Sequence, residues 1–233
     1  MFDIRMSPQT VDESPSLPAG EFALTFDDGP GETPEAGPGP RTMEIARYLS
    51  DEQIPATFFM CGKHVEKFPG IARTVIELGH GVGNHTHSHR SSLTLDPLTL
   101  QGELRSTYLL LRDCGAPEDI PFRPPFGHWA ERCAVSANAD DELAAHHTSV
   151  VGWDIDGSDW NLWATHQSAD ACLTRLMHEI ALKGAGIILM HDSSADAEPR
   201  GADIRAWNRT FEVVQQLVPR LRDLGAQFVA LPG

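Results

Sequence analysis

The chain reads as a parallel α/β protein. Short apolar runs alternate with stretches of helical periodicity, and the polar residues best suited to chemistry stand at the ends of the apolar runs. The scale also fits, since 233 residues, 41% of them hydrophobic, supply one sizeable core with no linker, repeat or composition break. Residues 21–233 are therefore taken as a single domain. Residues 1–20, with Pro8, Pro15 and Pro18 among serines and acids, read as a strap or mobile tail.

Phe22 to Phe26 is the first strand, and it ends in Asp27-Asp28-Gly29-Pro30, two adjacent carboxylates and a turn. Successive strand residues face opposite ways, so at the bend the two acids are free to take different roles. Gly31 to Pro40, crowded with Gly and Pro, is a loop that either shapes a substrate groove or is a passive insertion. Helical spacing then predicts Thr42 to Ser50, and β-rich residues predict Ile54 to Met60. Phe68 to Leu78 is helical again, with Gly79 past its end. Further helices are predicted at Leu98 to Asp113, Ala139 to His146, Ala169 to Ala181 and Phe211 to Leu224. Strands are predicted at Phe122, Val150 to Ile155, Gly186 to Met190 and Gln227 to Leu231. Periodicity alone leaves open whether the sheet is a barrel or open.

The net charge of −15 argues against nucleic acid and anionic membrane surfaces as partners, and no apolar run has the length of a membrane span. Met1-Phe2-Asp3-Ile4-Arg5 has neither a basic leader nor an apolar core of a signal peptide. The expectation is a cytoplasmic chain if it is full length, or a secreted or periplasmic one if a leader was trimmed. Cys61, Cys114, Cys133 and Cys172 are scattered and read as buried free thiols. Asn208-Arg209-Thr210 fits a glycosylation sequon and is taken as chance.

Chemistry concentrates in two clusters. His85 and His89 lie four apart, so one helical turn, or a tight loop entering a helix, would bring both imidazoles to one point. With Asp28 as a third ligand they form an N, N, O set that leaves a position open for water. That set suits one divalent metal, Zn²⁺ first, with Co²⁺, Mn²⁺ or Ni²⁺ also compatible. Thr86 and Ser88 are candidate hydrogen-bond supports for these ligands. The other histidines, His64, His80, His87, His128, His146, His147, His166 and His178, are read as structural. Asp27, beside a ligand yet outside the set, is a natural general base. Arg123 offers a rigid fork for two-point pairing with a carboxylate. His191, ending the apolar strand Gly186 to Met190, is a reasonable general acid.

Thr25-Phe26-Asp27-Asp28-Gly29-Pro30 and His85-Thr86-His87-Ser88-His89 resemble the first two motifs of polysaccharide deacetylases with a NodB homology domain (carbohydrate esterase family 4). Three more motifs follow in order: Arg123-Pro124-Pro125-Phe126-Gly127, Asp156-Gly157-Ser158-Asp159-Trp160 and Ile187-Ile188-Leu189-Met190-His191. The resemblance spans roughly residues 22–231. It implies a distorted (β/α) barrel with an incomplete strand count. It also implies that Arg123 orients the base, that the Phe126 N–H helps bind the oxyanion, that Asp156 tunes His191, and that Leu189 and Trp160 wall the acetyl methyl. Asp154 competes with Asp156 as partner of His191. The implied activity is metal-dependent removal of N-acetyl groups from N-acetylglucosamine-containing glycans. An O-acetyl esterase, a non-carbohydrate amide hydrolase on the same scaffold and a non-catalytic glycan-binding module are the alternatives. The chain departs from the resemblance most at 31–40, 133–147 and 193–209, where substrate preference would be set.

Overall fold

The centre of the molecule is strand β1, Glu21–Asp27, whose side chains divide cleanly between two surroundings. Phe22, Leu24 and Phe26 join the main apolar core, while Ala23 belongs to a separate small cluster with Phe59, Val151 and Ile187. Thr25 and Asp27, on the same side as Ala23, carry polar groups into that second space. Such two-sided burial requires a covered strand with helices on one face and a closed interior on the other. A computed structural model describes residues 16–195 and 199–231, so most of the predicted N-terminal tail lies outside the described residues.

The strands are β1, β2 (Ala56–Met60), β3 (Gly81–Asn84), β4 (Ile120–Phe122), β5 (His147–Val150), β6 (Ile155–Asp156), β7 (Gly186–His191) and β8 (Gln227–Phe228). They form one sheet in the order β5-β4-β3-β2-β1-β7-β6, with β8 pairing the start of β1, and every pairing is parallel. The helices are α1 (Thr42–Asp51), α2 (Gly62–Lys67), α3 (Pro69–Glu77), α4 (Pro97–Asp113), α5 (Glu131–Asn138), α6 (Asp141–His146), α7 (Asp159–Ala164), α8 (Ala169–Lys183), α9 (Pro199–Trp207) and α10 (Thr210–Asp223). Among the described residues no helix is long and apolar enough to cross a membrane, and all four cysteines are buried and unpaired.

The sheet curls until its two edges nearly meet, and a short stretch of chain bridges the gap. The predicted strand Val150 to Ile155 is in fact split: β5 lies at one edge of the sheet and β6 at the other. Between them, the Val151 N–H donates to the Phe122 carbonyl, and the Asp154 N–H donates to the Ile187 carbonyl. Because residues 151–154 span the opening, the segment cannot be one strand. This is the distorted barrel with an incomplete strand count that the sequence motifs imply.

Most predicted elements stand within a few residues of their expected bounds. Four helices were not foreseen. α2, α5 and α7 are short, and α9 replaces part of what reads as an extended polar loop at 193–209. α9 has scarcely any amphipathic signal to betray it, since Ala202, Asp203, Ala206 and Trp207 are exposed around a few buried residues.

Phe58 sits fully buried on the helix-facing side of β2, stacked on Phe26 with ring centroids 4.9 Å apart. Phe58→Ala should cost about 3–5 kcal/mol through the cavity it leaves, read as a lowered urea midpoint with an unchanged denaturant slope.

Candidate active site

The inward residues of the strands form the site in layers. Above the apolar floor of Ala23, Phe59, Val151 and Ile187 lies a polar layer held by Arg123, which is wholly buried. One terminal nitrogen, Nη1, donates to Asp27 Oδ1 (2.7 Å) and to Thr25 Oγ1 (2.8 Å). Nη2 donates to the Gly152 carbonyl (2.8 Å) and Nε to the Val151 carbonyl (3.3 Å). The guanidinium also lies 4.2 Å above the Phe59 ring. The two-point fork expected between Arg123 and Asp27 is therefore a single bond. The other arms serve the backbone that bridges the barrel, and Asp27 Oδ2 is left facing the mouth, 3.6 Å from His85 Nε2.

Asp28 would point outward if β1 continued. Its φ of 76° breaks the alternation and turns its carboxylate to the same mouth. There Oδ1 lies 3.1 Å from His89 Nε2 and 3.5 Å from His85 Nε2. The two histidines do not share a helical turn. They stand on a loop after β3 in which Thr86 (φ 63°) and His89 (φ 59°) take left-handed conformations. Of the seven non-glycine residues with positive φ among the described residues, Asp28, Thr86, His89, Phe126 and Ser158 all belong to the five motifs, a concentration of strain that marks a candidate functional mouth.

The His85 Nδ1–H donates to the Arg123 carbonyl (2.7 Å), which fixes the tautomer and turns Nε2 toward Asp28. Thr86 and Ser88 do not bond the imidazoles. Instead Glu103 on α4 accepts from the N–H groups of His87 and Ser88 and from the Ser88 hydroxyl, and it is this carboxylate that shapes the loop. Asp28 is backed by His64, whose Nδ1 lies 2.7 Å from the Asp28 carbonyl oxygen, so a histidine read as merely structural supports a residue of the candidate metal site.

Whether these residues fit a metal is decided by Asp28 itself. Its Oδ1 is buried without a hydrogen bond among the described residues, between two imidazole nitrogens, and the ligand atoms of Asp28, His85 and His89 lie within 4.8 Å of one another. Burial alone would raise the Asp28 carboxyl. The nearby imidazoles of His89, His85 and His191 outweigh it and hold the carboxyl far below the usual range. An anionic oxygen without a hydrogen-bond donor beside two nitrogen donors is a metal-binding constellation.

Across the mouth, His191 lies beside Asp27 in the pairing of β7 with β1. Its Nδ1 meets Asp159 Oδ1 at 2.7 Å, and its N–H donates to Asp159 Oδ2 at 2.7 Å. The partner carboxylate is thus Asp159, and the expectation that Asp156 holds this role is corrected. Asp156 instead accepts from the Ser158 N–H, and Asp154, the other contender, accepts from the Ile187 N–H. The reason is local: Ser158 (φ 51°) reverses the chain, and Asp159 then starts α7 folded back over the strand end. Burial opposes the charged form of His191, but Asp159, Asp28 and Asp27 together push it up to about 10. Burial raises the Asp156 carboxyl. Asn208 Nδ2 donates to the His191 carbonyl and is itself buried, so the apparent sequon is a structural contact.

Asp27, Asp28, His85, His89, Asp156 and His191 open into one cavity of about 350 Å³. Trp160 and Leu189 line it as the motifs imply, joined by Trp153 and Ile204, which the sequence did not single out. Phe126 forms the outer lip, left-handed at φ 60° with its ring 4.7 Å from that of His89. Ser194 also lines the cavity, and its buried hydroxyl has no partner among the described residues. Beneath the mouth, Thr42 donates to Asp192, whose carboxyl burial pushes up to about 7. The Gly31 N–H donates to the same Thr42 oxygen. A side chain at Gly29 would collide with Asp192, which explains the glycine there.

The polysaccharide deacetylase family model matches residues 15–142. A chitooligosaccharide deacetylase of Bradyrhizobium sp. (strain ANU 289) is 28% identical over 90% of this chain and 88% of its own length. A peptidoglycan-N-acetylglucosamine deacetylase of Bacillus cereus is 27% identical over 91% of this chain and 67% of its own. Among solved structures, the Bc1960 peptidoglycan N-acetylglucosamine deacetylase superposes with a TM-score of 0.71, at 27% identity, over 92% of this chain and 87% of that one.

Glu103→Ala should lower Zn²⁺ affinity about 10- to 100-fold by releasing the histidine loop without removing a ligand. Competition against a chromophoric chelator measures this, and an unchanged affinity would show that the loop holds its shape without Glu103.

Proposed function

From the premise that the chain belongs to the polysaccharide deacetylase family, we propose that it is a metal-dependent hydrolase removing N-acetyl groups from N-acetylglucosamine-containing oligo- or polysaccharides. One observation carries the reading: a carboxylate positioned by Arg123 and an imidazole positioned by Asp159 flank the same Asp28, His85, His89 set. Those three residues would hold a single divalent ion, with Zn²⁺ the first choice for an N, N, O set. When bound, the ion supplies polarisation of the acetyl carbonyl and lowers the pKa of the attacking water.

The protein's own groups do the rest. Asp27, with Oδ1 fixed on Arg123, receives the proton of the attacking water at its other oxygen. The Phe126 N–H, presented by the strained turn Pro125–Gly127, donates to the oxygen that gains charge. Leu189 and Trp160 enclose the methyl group and keep water from competing there. His191, with Nδ1 committed to Asp159, delivers a proton from Nε2 to the departing amine. Amines leave poorly without protonation, so this step matters most for amides.

The direct test is acetate release from N-acetyl chito-oligosaccharides and from acetylated xylan, after chelation and then with Zn²⁺ or Co²⁺ restored. Release from the chito-oligosaccharides only with metal is the expected result. Release from xylan alone would make the protein an ester hydrolase.

Asp27→Asn should abolish turnover, by 10²-fold or more, while leaving bound metal unchanged by elemental analysis. Loss of metal in this variant would mean that Asp27 and Asp28 exchange roles.

The pH profile tests the acid. The reactive form of His191 is protonated, so kcat/KM should fall as pH rises through its pKa. Asp159, Asp28 and Asp27 raise that pKa, whereas a bound cation opposes them. The alkaline limb should therefore lie above an ordinary imidazole at about 6.5 and below 10. Asp159→Asn should move the limb to lower pH and slow amides more than activated esters. A limb that stays in place would remove His191 from the acid's role.

A further inference from the structure

Beside the catalytic cavity lies a second, wider depression of about 590 Å³, and the two share walls. Ser194 and Ile204 line the first; their neighbours Ser193, Ala195 and Arg205 line the second. The far wall is the Pro- and Gly-rich loop that leaves directly from the paired acids, and it is packed in place rather than draped. Gly31 has no room for a side chain between Pro40 and Ser193, and the Gly39 N–H donates to the Asn208 carbonyl.

The charge of this depression runs against that of the chain. The protein as a whole carries −15, yet among the described residues the depression is lined by Lys63, Lys67 and Arg205 and by one acid, Glu32. Lys63 and Lys67 are four apart on α2 and therefore share a face. Lys63 Nζ donates to the Ala195 carbonyl, which leaves two of its three N–H groups for other acceptors. Lys67 is exposed, its ammonium 4.8 Å from the centre of the Phe68 ring. Among the described residues neither lysine forms an ion pair. Cations lining a concave, partly apolar surface concentrate their field on whatever enters it. Backbone contacts also hold the depression in register with the site. Lys63 ties it to the segment following His191 and Asp192, and the His64 imidazole, on its wall, touches the Asp28 carbonyl oxygen.

We propose that this depression is a substrate subsite for an anionic substituent, a carboxylate or phosphate on the glycan next to the acetylated unit, bound by Lys63 and Lys67. The inference rests on the deacetylase reading and narrows its substrate class to acidic glycans. An exposed lysine–anion contact contributes modestly, so the preference it confers should be several-fold rather than absolute.

The test uses matched pairs on the metal-loaded enzyme. One pair is a tetrasaccharide alternating N-acetylglucosamine with glucuronate, and its carboxyl methyl ester. The other is N-acetyl chitotetraose with and without a reducing-end phosphate. The anionic member of at least one pair should have a kcat/KM about fivefold above its neutral counterpart, shrinking as salt rises. Which pair shows the difference identifies the anion. Lys63→Gln and Lys67→Gln, made separately, should bring the ratio toward one, and the exposed position of Lys67 keeps that variant informative should the first fold poorly. A wild-type ratio near one in both pairs, or a ratio that Lys67→Gln leaves untouched, overturns the proposal. If no compound in either pair is deacetylated, the reaction assignment fails and calorimetric binding of the same pairs judges the subsite. Anionic members binding more tightly than neutral ones, with the difference lost in Lys67→Gln, supports it, and equal binding overturns it.

Discussion

A fully buried guanidinium stands at the middle of this protein, and the barrel is arranged to make it tolerable. Burial weakens the charged form of Arg123, and Asp27 compensates in part. An unpaired buried charge costs several kcal/mol, so every arm of the fork needs a partner. The partners are Asp27, Thr25 and the carbonyls of Val151 and Gly152. Those last two belong to the segment that bridges the open edges of the sheet. The same residue gives its own carbonyl to His85. One side chain and its peptide therefore link closure of the barrel, orientation of Asp27 and the tautomer of His85.

The mouth above Arg123 is built as two assemblies facing each other across adjacent strands. On the β1 side, Asp27 and Asp28 are separated by a single left-handed turn, which lets neighbours in sequence face the same cavity with different partners. On the β7 side, His191 is clasped by Asp159 from one direction and by Asn208 and Thr210 at its carbonyl from another. Neither assembly would hold its shape as a free peptide, because left-handed φ at a non-glycine residue costs about 1–3 kcal/mol at each position. The buried sheet beneath supplies the stability that the mouth spends.

Much of this was legible from sequence, for identifiable reasons. A strand that alternates Phe22, Leu24, Phe26 with Ala23, Thr25, Asp27 announces both its faces. A histidine ending the apolar run Gly186 to Met190 announces a sheet mouth. Asp159 was missed because Asp154, Asp156 and Asp159 are all plausible by spacing, and the choice depends on the reversal at Ser158. Glu103 and His64 were missed because their partners are mostly backbone groups on other elements, which leave no pattern in the side-chain sequence. The split of Val150 to Ile155 into two distant strands follows from hydrogen bonds to Phe122 and Ile187, contacts that no local periodicity encodes. α9 escaped because a helix with exposed residues on most sides carries little amphipathic signal.

The division between what was and was not legible follows a division of labour. Inward strand residues must satisfy the alternation of the sheet and the charge of Arg123 at once, so few residue types fit and the pattern is sharp. The loop at 31–40 and α9 satisfy only local packing, such as Gly31 against Pro40 and Ser193, and many sequences would do that equally well. Yet they wall the entrance, with Ile204 of α9 in one cavity and Arg205 in the next. The segments that wall the entrance are therefore the ones where sequence resemblance says least.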